Sequence, residues 1–109
     1  MGEVLIRRDE RNRVIGLSLR DVGSETAAGA NASCLLQVVN ASLGEYLHVG
    51  VELAADDGDE MDLSIDRRDT HMDRELDAIL ETLVIGLKML EKEHPTDLVV
   101  EEPTVGVEV

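Results

Sequence analysis

Between Leu76 and Leu90, six aliphatic residues (Leu76, Ile79, Leu80, Leu83, Leu87 and Leu90) recur at the three- and four-residue spacing that lines one face of an α-helix. Thr70 followed by Asp73 has the form of a capping box, with Asp in the place usually held by Glu. Pro95 then ends the helix after His94. A helix this one-sided needs a second layer to bury its stripe, and the rest of the chain supplies strands. Val4, Leu5 and Ile6 form a first strand, closed by the charged turn Arg8-Asp9-Glu10-Arg11-Asn12. Ile15, Leu17 and Leu19 alternate with Gly16, Ser18 and Arg20, the two-residue period of a half-buried strand. Leu47, Val49, Val51 and Leu53 alternate likewise, as do Met61, Leu63 and Ile65, and Asp56-Asp57-Gly58-Asp59 between them predicts a second hairpin. Leu98, Val99 and Val100 form a last strand.

From Asp21 to Ser33 the residues are small and polar and read as a loop. A first helix follows, with Asn31 or Ser33 as its cap, Leu35, Leu36, Val38, Val39 and Leu43 on its apolar face, and Gly44 as its stop. The predicted order is ββαββαβ, an α/β (α+β) fold: a largely antiparallel sheet with two helices covering one face. At 109 residues the chain is a single domain, with residues 103–109 as a frayed tail.

Charge and composition remove several function classes. Twenty-four acidic against ten basic side chains give a net charge of -14, which repels phosphate backbones, and Tyr46 is the sole aromatic, too few for base stacking. No nucleic-acid partner is expected. The longest uncharged run, Thr26 to Gly44, is rich in Ala, Ser, Asn and Gly, so it is no membrane span. The start, Met1 to Arg8, lacks a hydrophobic signal core, which predicts a cytoplasmic protein whose sequons at Asn31 and Asn40 carry no sugar. With one cysteine there is no internal disulfide and no multi-cysteine metal site. The acid run near Asp56 is no EF-hand, because that register puts Leu53 at the first ligand position. Neither a metal nor a cofactor is expected.

Cys34 is the residue with the clearest chemical potential. Placed just after a glycine-bearing loop and near a helix start, it would meet unpaired backbone N–H groups that stabilise a thiolate. The plainer reading makes it a small buried hydrophobe. A thiol nucleophile needs a base, and no histidine precedes Cys34. Of His48, His71 and His94, the first falls on the polar side of a strand and the last at a helix end, leaving His71 as the nominal partner. Asp21 and Glu25 would raise a nearby thiol's pKa, the wrong direction for a nucleophile.

Two stretches carry a family resemblance. Glu81-Thr82-Leu83-Val84-Ile85-Gly86-Leu87-Lys88, continuing through Glu93-His94-Pro95 into Val99-Val100-Glu101-Glu102, resembles the C-terminal half of the ribosomal-processing cysteine proteases called Prp. Arg7-Arg8-Asp9 followed by Arg13-Val14-Ile15-Gly16-Leu17 is similar to that family's opening hairpin, and the likeness runs from about Val4 to Glu102. Members remove an N-terminal extension from a large-subunit ribosomal protein and act as homodimers. Their pattern is Gly-His-Ala at the end of the second strand, a mobile loop, then a cysteine followed by small residues. The resemblance implies that Cys34 holds the nucleophile position and that Asp21, Val22, Gly23, Gly29 and Ser33 belong to the substrate loop. Asp21-Val22-Gly23 stands where Gly-His-Ala is expected, so Val22 replaces the base, and the bulkier Leu35, Leu36 and Gln37 follow the cysteine and would fill a substrate groove.

Three readings stand side by side. The first is a homodimeric Prp-like domain, catalytically impaired or inactive, that retains hold of a basic ribosomal-protein N-terminal peptide. The second is an active cysteine protease with a relocated base. The third is a non-enzymatic interaction or scaffold protein with Cys34 buried and inert.

Overall fold

The computed structural model describes residues 2–20, 26–56 and 60–102. The elements follow the predicted order: β1 (Gly2–Arg8), β2 (Val14–Arg20), α1 (Ala27–Glu45), β3 (Val51–Asp56), β4 (Glu60–Ile65), α2 (Asp73–Glu93) and β5 (Leu98–Glu101), with a short 3-10 turn, Thr70–Met72, ahead of α2. The five strands form one sheet in the order β3-β4-β2-β1-β5. Three neighbouring pairs are antiparallel, and β5 runs parallel to β1, with Gly2 opposite Leu98 and Val4 opposite Val100. The sheet is therefore mixed.

Alternation decides which strand residues meet the helices. Val4 and Ile6, Leu17 and Leu19, and Met61, Leu63 and Ile65 are buried beneath α1 and α2, together with Leu36, Leu43, Leu76, Leu80, Leu83 and Leu87. Each fully buried Leu or Ile contributes about 1.5–3 kcal/mol. Aliphatic interdigitation thus replaces the aromatic residues that most cores of this size use. Among the described residues, no helix lies over the other sheet face.

Several local expectations need correction. α1 starts at Ala27, not near Ser33: Thr26 is the cap, its Oγ1 accepting from the Gly29 N–H at 3.0 Å. Ala28, Gly29 and Ala32 are buried, and their small size lets the helix lie close to its neighbours. Residues 27–33 therefore belong to the helix rather than the loop. Nor does Gly44 stop α1, which runs through Glu45 to a cap at Tyr46. Leu47 and Val49 precede β3 instead of opening it, because the Leu47 N–H donates to Ser42 O and the Val49 N–H to Leu43 O. His48 between them takes φ 57°, the left-handed region, which ends any extended run. The capping-box reading of Thr70 and Asp73 also fails. Asp69 caps the 3-10 turn by accepting from the His71 N–H, while the Asp73 carboxylate goes to two arginines. The turn at Asp57-Gly58-Asp59 and the tail at 103–109 lie outside the described residues.

Ion pairs lock the two layers together. Arg67 is buried, 6% exposed, and its guanidinium donates from Nε to Val14 O at 3.0 Å, from Nη1 to Asp73 at 3.1 Å and from Nη2 to Asp77 at 2.8 Å. Arg13 bridges Asp73 to Asp9 in the β1–β2 turn. A second group joins Arg8 of β1 to Glu81 of α2 and to Glu102, which also pairs with Lys88.

These carboxylates set an acid limit. Arg68 holds the Asp66 carboxyl down at about 2. A hydrogen bond from Ser18 lowers Asp62, helped by Arg7, and Lys88 with Arg8 lowers Glu102. Partial burial opposes ionisation at Asp73, yet Arg13 and Arg67 outweigh it and its pKa is lowered. A depressed folded-state pKa contributes stability above the unfolded value of about 4 and loses it as pH falls through the folded value. The thermal midpoint is accordingly expected to hold from neutrality to about pH 4 and to fall steeply between there and about pH 2. Calorimetry across that range checks this, and a midpoint unchanged at the acid end would contradict it.

Candidate functional site around Cys34

Cys34 is the eighth residue of α1 and its thiol is exposed. Both facts correct the sequence reading. The N–H groups of a helix that lack a backbone partner are those of its cap and first three residues, here 26–29, since Ala30 already donates to Thr26 O, and the dipole's influence fades within the first turn. Cys34 sits a turn further on, so the helix start does not activate it. Equally, it is not a buried core residue, which removes the version of the scaffold reading in which the cysteine is inert through burial.

Its neighbours divide between the sheet, α2 and solvent. Ser33, half-buried, donates from Oγ to Met61 Sδ at 3.3 Å at the beginning of β4 and accepts from Gln37 Nε2 at 3.1 Å. Leu36 is fully buried in the core. Leu35 lies against α2, where a Cβ added to Gly86 would stand 3.5 Å from its Cδ1. Leu35 and Leu36 therefore pack inward, while Gln37 stays exposed beside Ser33. Gly29, one turn before Ser33, is buried. Asp21, Val22 and Gly23 lie outside the described residues.

No histidine of the sequence is brought to Cys34 by this geometry. His48 and His71 line the same cleft of about 310 Å³, with Asp66, Asp69, Met72 and Leu76, beyond the C-terminal end of α1. Twelve residues, mostly helical, lie between Cys34 and Leu47 on that cleft's rim, roughly 20 Å along the helix axis. His71 thus sits at the wrong end of α1 to serve as a base. His94 caps α2, its carbonyl accepting from the N–H groups of Asp97 and Leu98.

The bare sheet face holds a polar cluster that sequence reasoning missed. Arg7 donates to Ser18 Oγ at 2.6 Å and to Asp62 at 3.0 Å, while Ser18 Oγ donates to the same Asp62 oxygen at 2.7 Å. The three border a shallow cleft of about 360 Å³ with Arg20, Ala54 and Glu60. Gly16 was the available signal, since a Cβ there would collide with the Arg7 guanidinium. Arg7 and Ser18 both donate to one Asp62 oxygen, so the cluster clamps β1, β2 and β4 together.

An exposed thiol on a rigid helix makes a direct prediction. Iodoacetamide is expected to label Cys34 fully in the native protein, with no denaturant present, and Cys34→Ala to change stability by no more than about 0.5 kcal/mol. Mass spectrometry and urea unfolding check the two parts. Labelling that required unfolding would restore the buried reading.

No family model matches the sequence, and no curated protein matches it. Solved structures do. The chain aligns over 94% of its length with all of the essential ribosomal processing protease Prp from S. aureus in complex with a substrate peptide, at a TM-score of 0.82 and 18% identity. It aligns over the same share with 93% of SMU.848 from Streptococcus mutans, at 0.81 and 18%. The S. aureus protease with a covalently linked product peptide gives 0.78 and 24%, again over 94% of this chain and all of that one. The architecture is that of a small α+β domain with a five-stranded mixed sheet. More particularly, it is the fold of the Prp structures. Among the described residues, no helix is long and apolar enough to cross a membrane.

Proposed function

We propose that this chain is a Prp-like, peptide-holding domain whose cysteine protease chemistry is impaired. The observation that carries the reading is the match in fold, over nearly the whole of both chains, to a Prp bound to a substrate peptide. An exposed Cys34 at the nucleophile position supports a retained site. Val22 at the position of the family histidine supports the impairment: a side chain without a lone pair accepts no proton, and loss of a general base costs about a hundredfold to ten-thousandfold in rate. No metal or cofactor is required by this chemistry. The partner is a basic ribosomal-protein N-terminal peptide, and the domain acts in the cytoplasm as a homodimer.

Intact-mass analysis after incubation with a full-length ribosomal-protein precursor, beside a Cys34→Ala control and a histidine-containing relative, tests the reading. The expected result is a precursor left uncut, or cut very slowly, where the relative cuts it. Cleavage at the relative's rate that depends on Cys34 would overturn the impairment. Light scattering of the purified protein tests the dimer, a monomer mass removing it.

A further inference from the structure

The charge of this molecule is unevenly distributed. From Asp21 to Asp66 the sequence holds ten Asp and Glu residues and no Lys or Arg, so that stretch carries -10 of the net -14. In the fold this stretch builds α1, β3 and β4, and β3 is the outermost strand of the sheet on that flank. Among the described residues, Glu52 on β3 and Glu60 and Asp62 on β4 make this open sheet edge acidic.

The two edges of the sheet are treated differently. At β5 the Val100 N–H, which faces away from the sheet, is taken by the Glu91 carboxylate of α2 at 3.0 Å, and the strand is only four residues long. Such a blocked, short edge resists strand pairing. β3 is six residues long, pairs only with β4, and has no side chain hydrogen-bonded to its backbone among the described residues. It contains no lysine or proline, the residues that usually guard an edge.

We propose that the free edge of β3 accepts an extended, lysine- or arginine-bearing segment of a partner protein as an added strand. Backbone N–H and C=O groups supply the pairing, and Glu52 and Glu60, both exposed, supply the charge recognition. Asp62 is already held by Arg7 and Ser18, so it contributes little. A second copy of this chain is the wrong occupant, because edge-to-edge pairing would bring two acidic edges, each with an exposed Glu52 and Glu60, together. The far end of β3 lies near Cys34: Ala55 pairs with Met61, and Met61 contacts Ser33. A strand added here would pass that end of α1, which deepens the peptide-holding reading and rests on it for the existence of a peptide partner. The seat on β3 itself rests on edge and charge.

The experiment uses the full chain, isotope-labelled, with a synthetic peptide of roughly ten residues alternating lysine and threonine. Two further versions are N-methylated, one at the lysines and one at the threonines, so that each loses the N–H groups on one side. Amide shifts are expected to concentrate in Val51–Asp56 and in β4, with one methylated peptide failing to bind and the other binding. Glu52→Lys is expected to weaken binding by up to about fivefold. Glu93→Lys, with the same charge change on the opposite flank, is expected to have little effect. Shifts elsewhere, equal losses from the two variants, or binding by both methylated peptides would overturn the β3 seat while leaving a peptide partner standing. No binding by this peptide overturns the seat, and no binding by a ribosomal-protein precursor tail in parallel overturns the peptide reading as well.

Discussion

The Arg67→Met variant is expected to unfold about 3 kcal/mol more readily than the parent protein, with a thermal midpoint roughly 10–20 °C lower. Methionine fills much of the volume but makes none of the bonds. Val14 O loses its donor, Asp77 its partner, and Asp73 one of its two arginines. Removing one member of a buried ion pair costs about 3–5 kcal/mol because the others stay desolvated without compensation. The low end applies here, since Arg13 still neutralises Asp73 and the Asp77 side chain is 44% exposed. Arg67→Lys is expected to recover little, because an ammonium lacks the planar fork that reaches three acceptors at once. Urea unfolding of both variants measures the loss. A change below about 1 kcal/mol would mean that the cluster behaves as an ordinary surface pair.

The second large effect concerns activity. Val22→His is expected to raise Cys34-dependent cleavage of a ribosomal-protein precursor by about a hundredfold to ten-thousandfold. This follows from the proposed impairment, which assigns the defect to a proton acceptor missing at position 22 beside an exposed thiol. Rates of product appearance by mass spectrometry, for Val22→His alone and combined with Cys34→Ala, check this. The double variant must return to the baseline. A single variant no faster than its parent would place the impairment elsewhere than at position 22.

Patterning made most of the architecture legible. The stripe from Leu76 to Leu90 and the alternation in β1 and β4 each have one periodicity and one buried face, so local sequence and tertiary packing agree, while the central strand β2 is buried on both sides. Disagreement arose where packing took over a residue that local rules assign elsewhere. Ala27 to Asn31 reads as loop because Gly29 is a poor helix former, yet small residues are what a helix needs to approach its neighbours closely. Leu47 and Val49 alternate like a strand but their N–H groups close the end of α1. Asp73 has the position of a capping residue, and two arginines distant in sequence claim it. The candidate site was legible only in part. Cys34 stood out as the lone cysteine, but its exposure depends on the rotation of α1, which a helix beginning at Ser33 and one beginning at Ala27 place differently. The clamp of Arg7, Ser18 and Asp62 joins three strands and leaves no local pattern beyond Gly16.

The parallel pairing of β5 with β1 has a consequence for how the chain is made. Gly2 finds its neighbour at Leu98, so β1 must wait until synthesis has reached β5 before its second edge is satisfied. Until then, β1 carries an open row of backbone donors and acceptors beside the growing β1–β2 hairpin. Contacts between such remote residues form late and slowly, because loop closure precedes any gain from pairing. During synthesis the chain is therefore a nearly finished domain with one unzipped seam. The arrival of β5, with Glu91 of α2 then covering its outer side, closes the seam and leaves β3 as the edge that stays open.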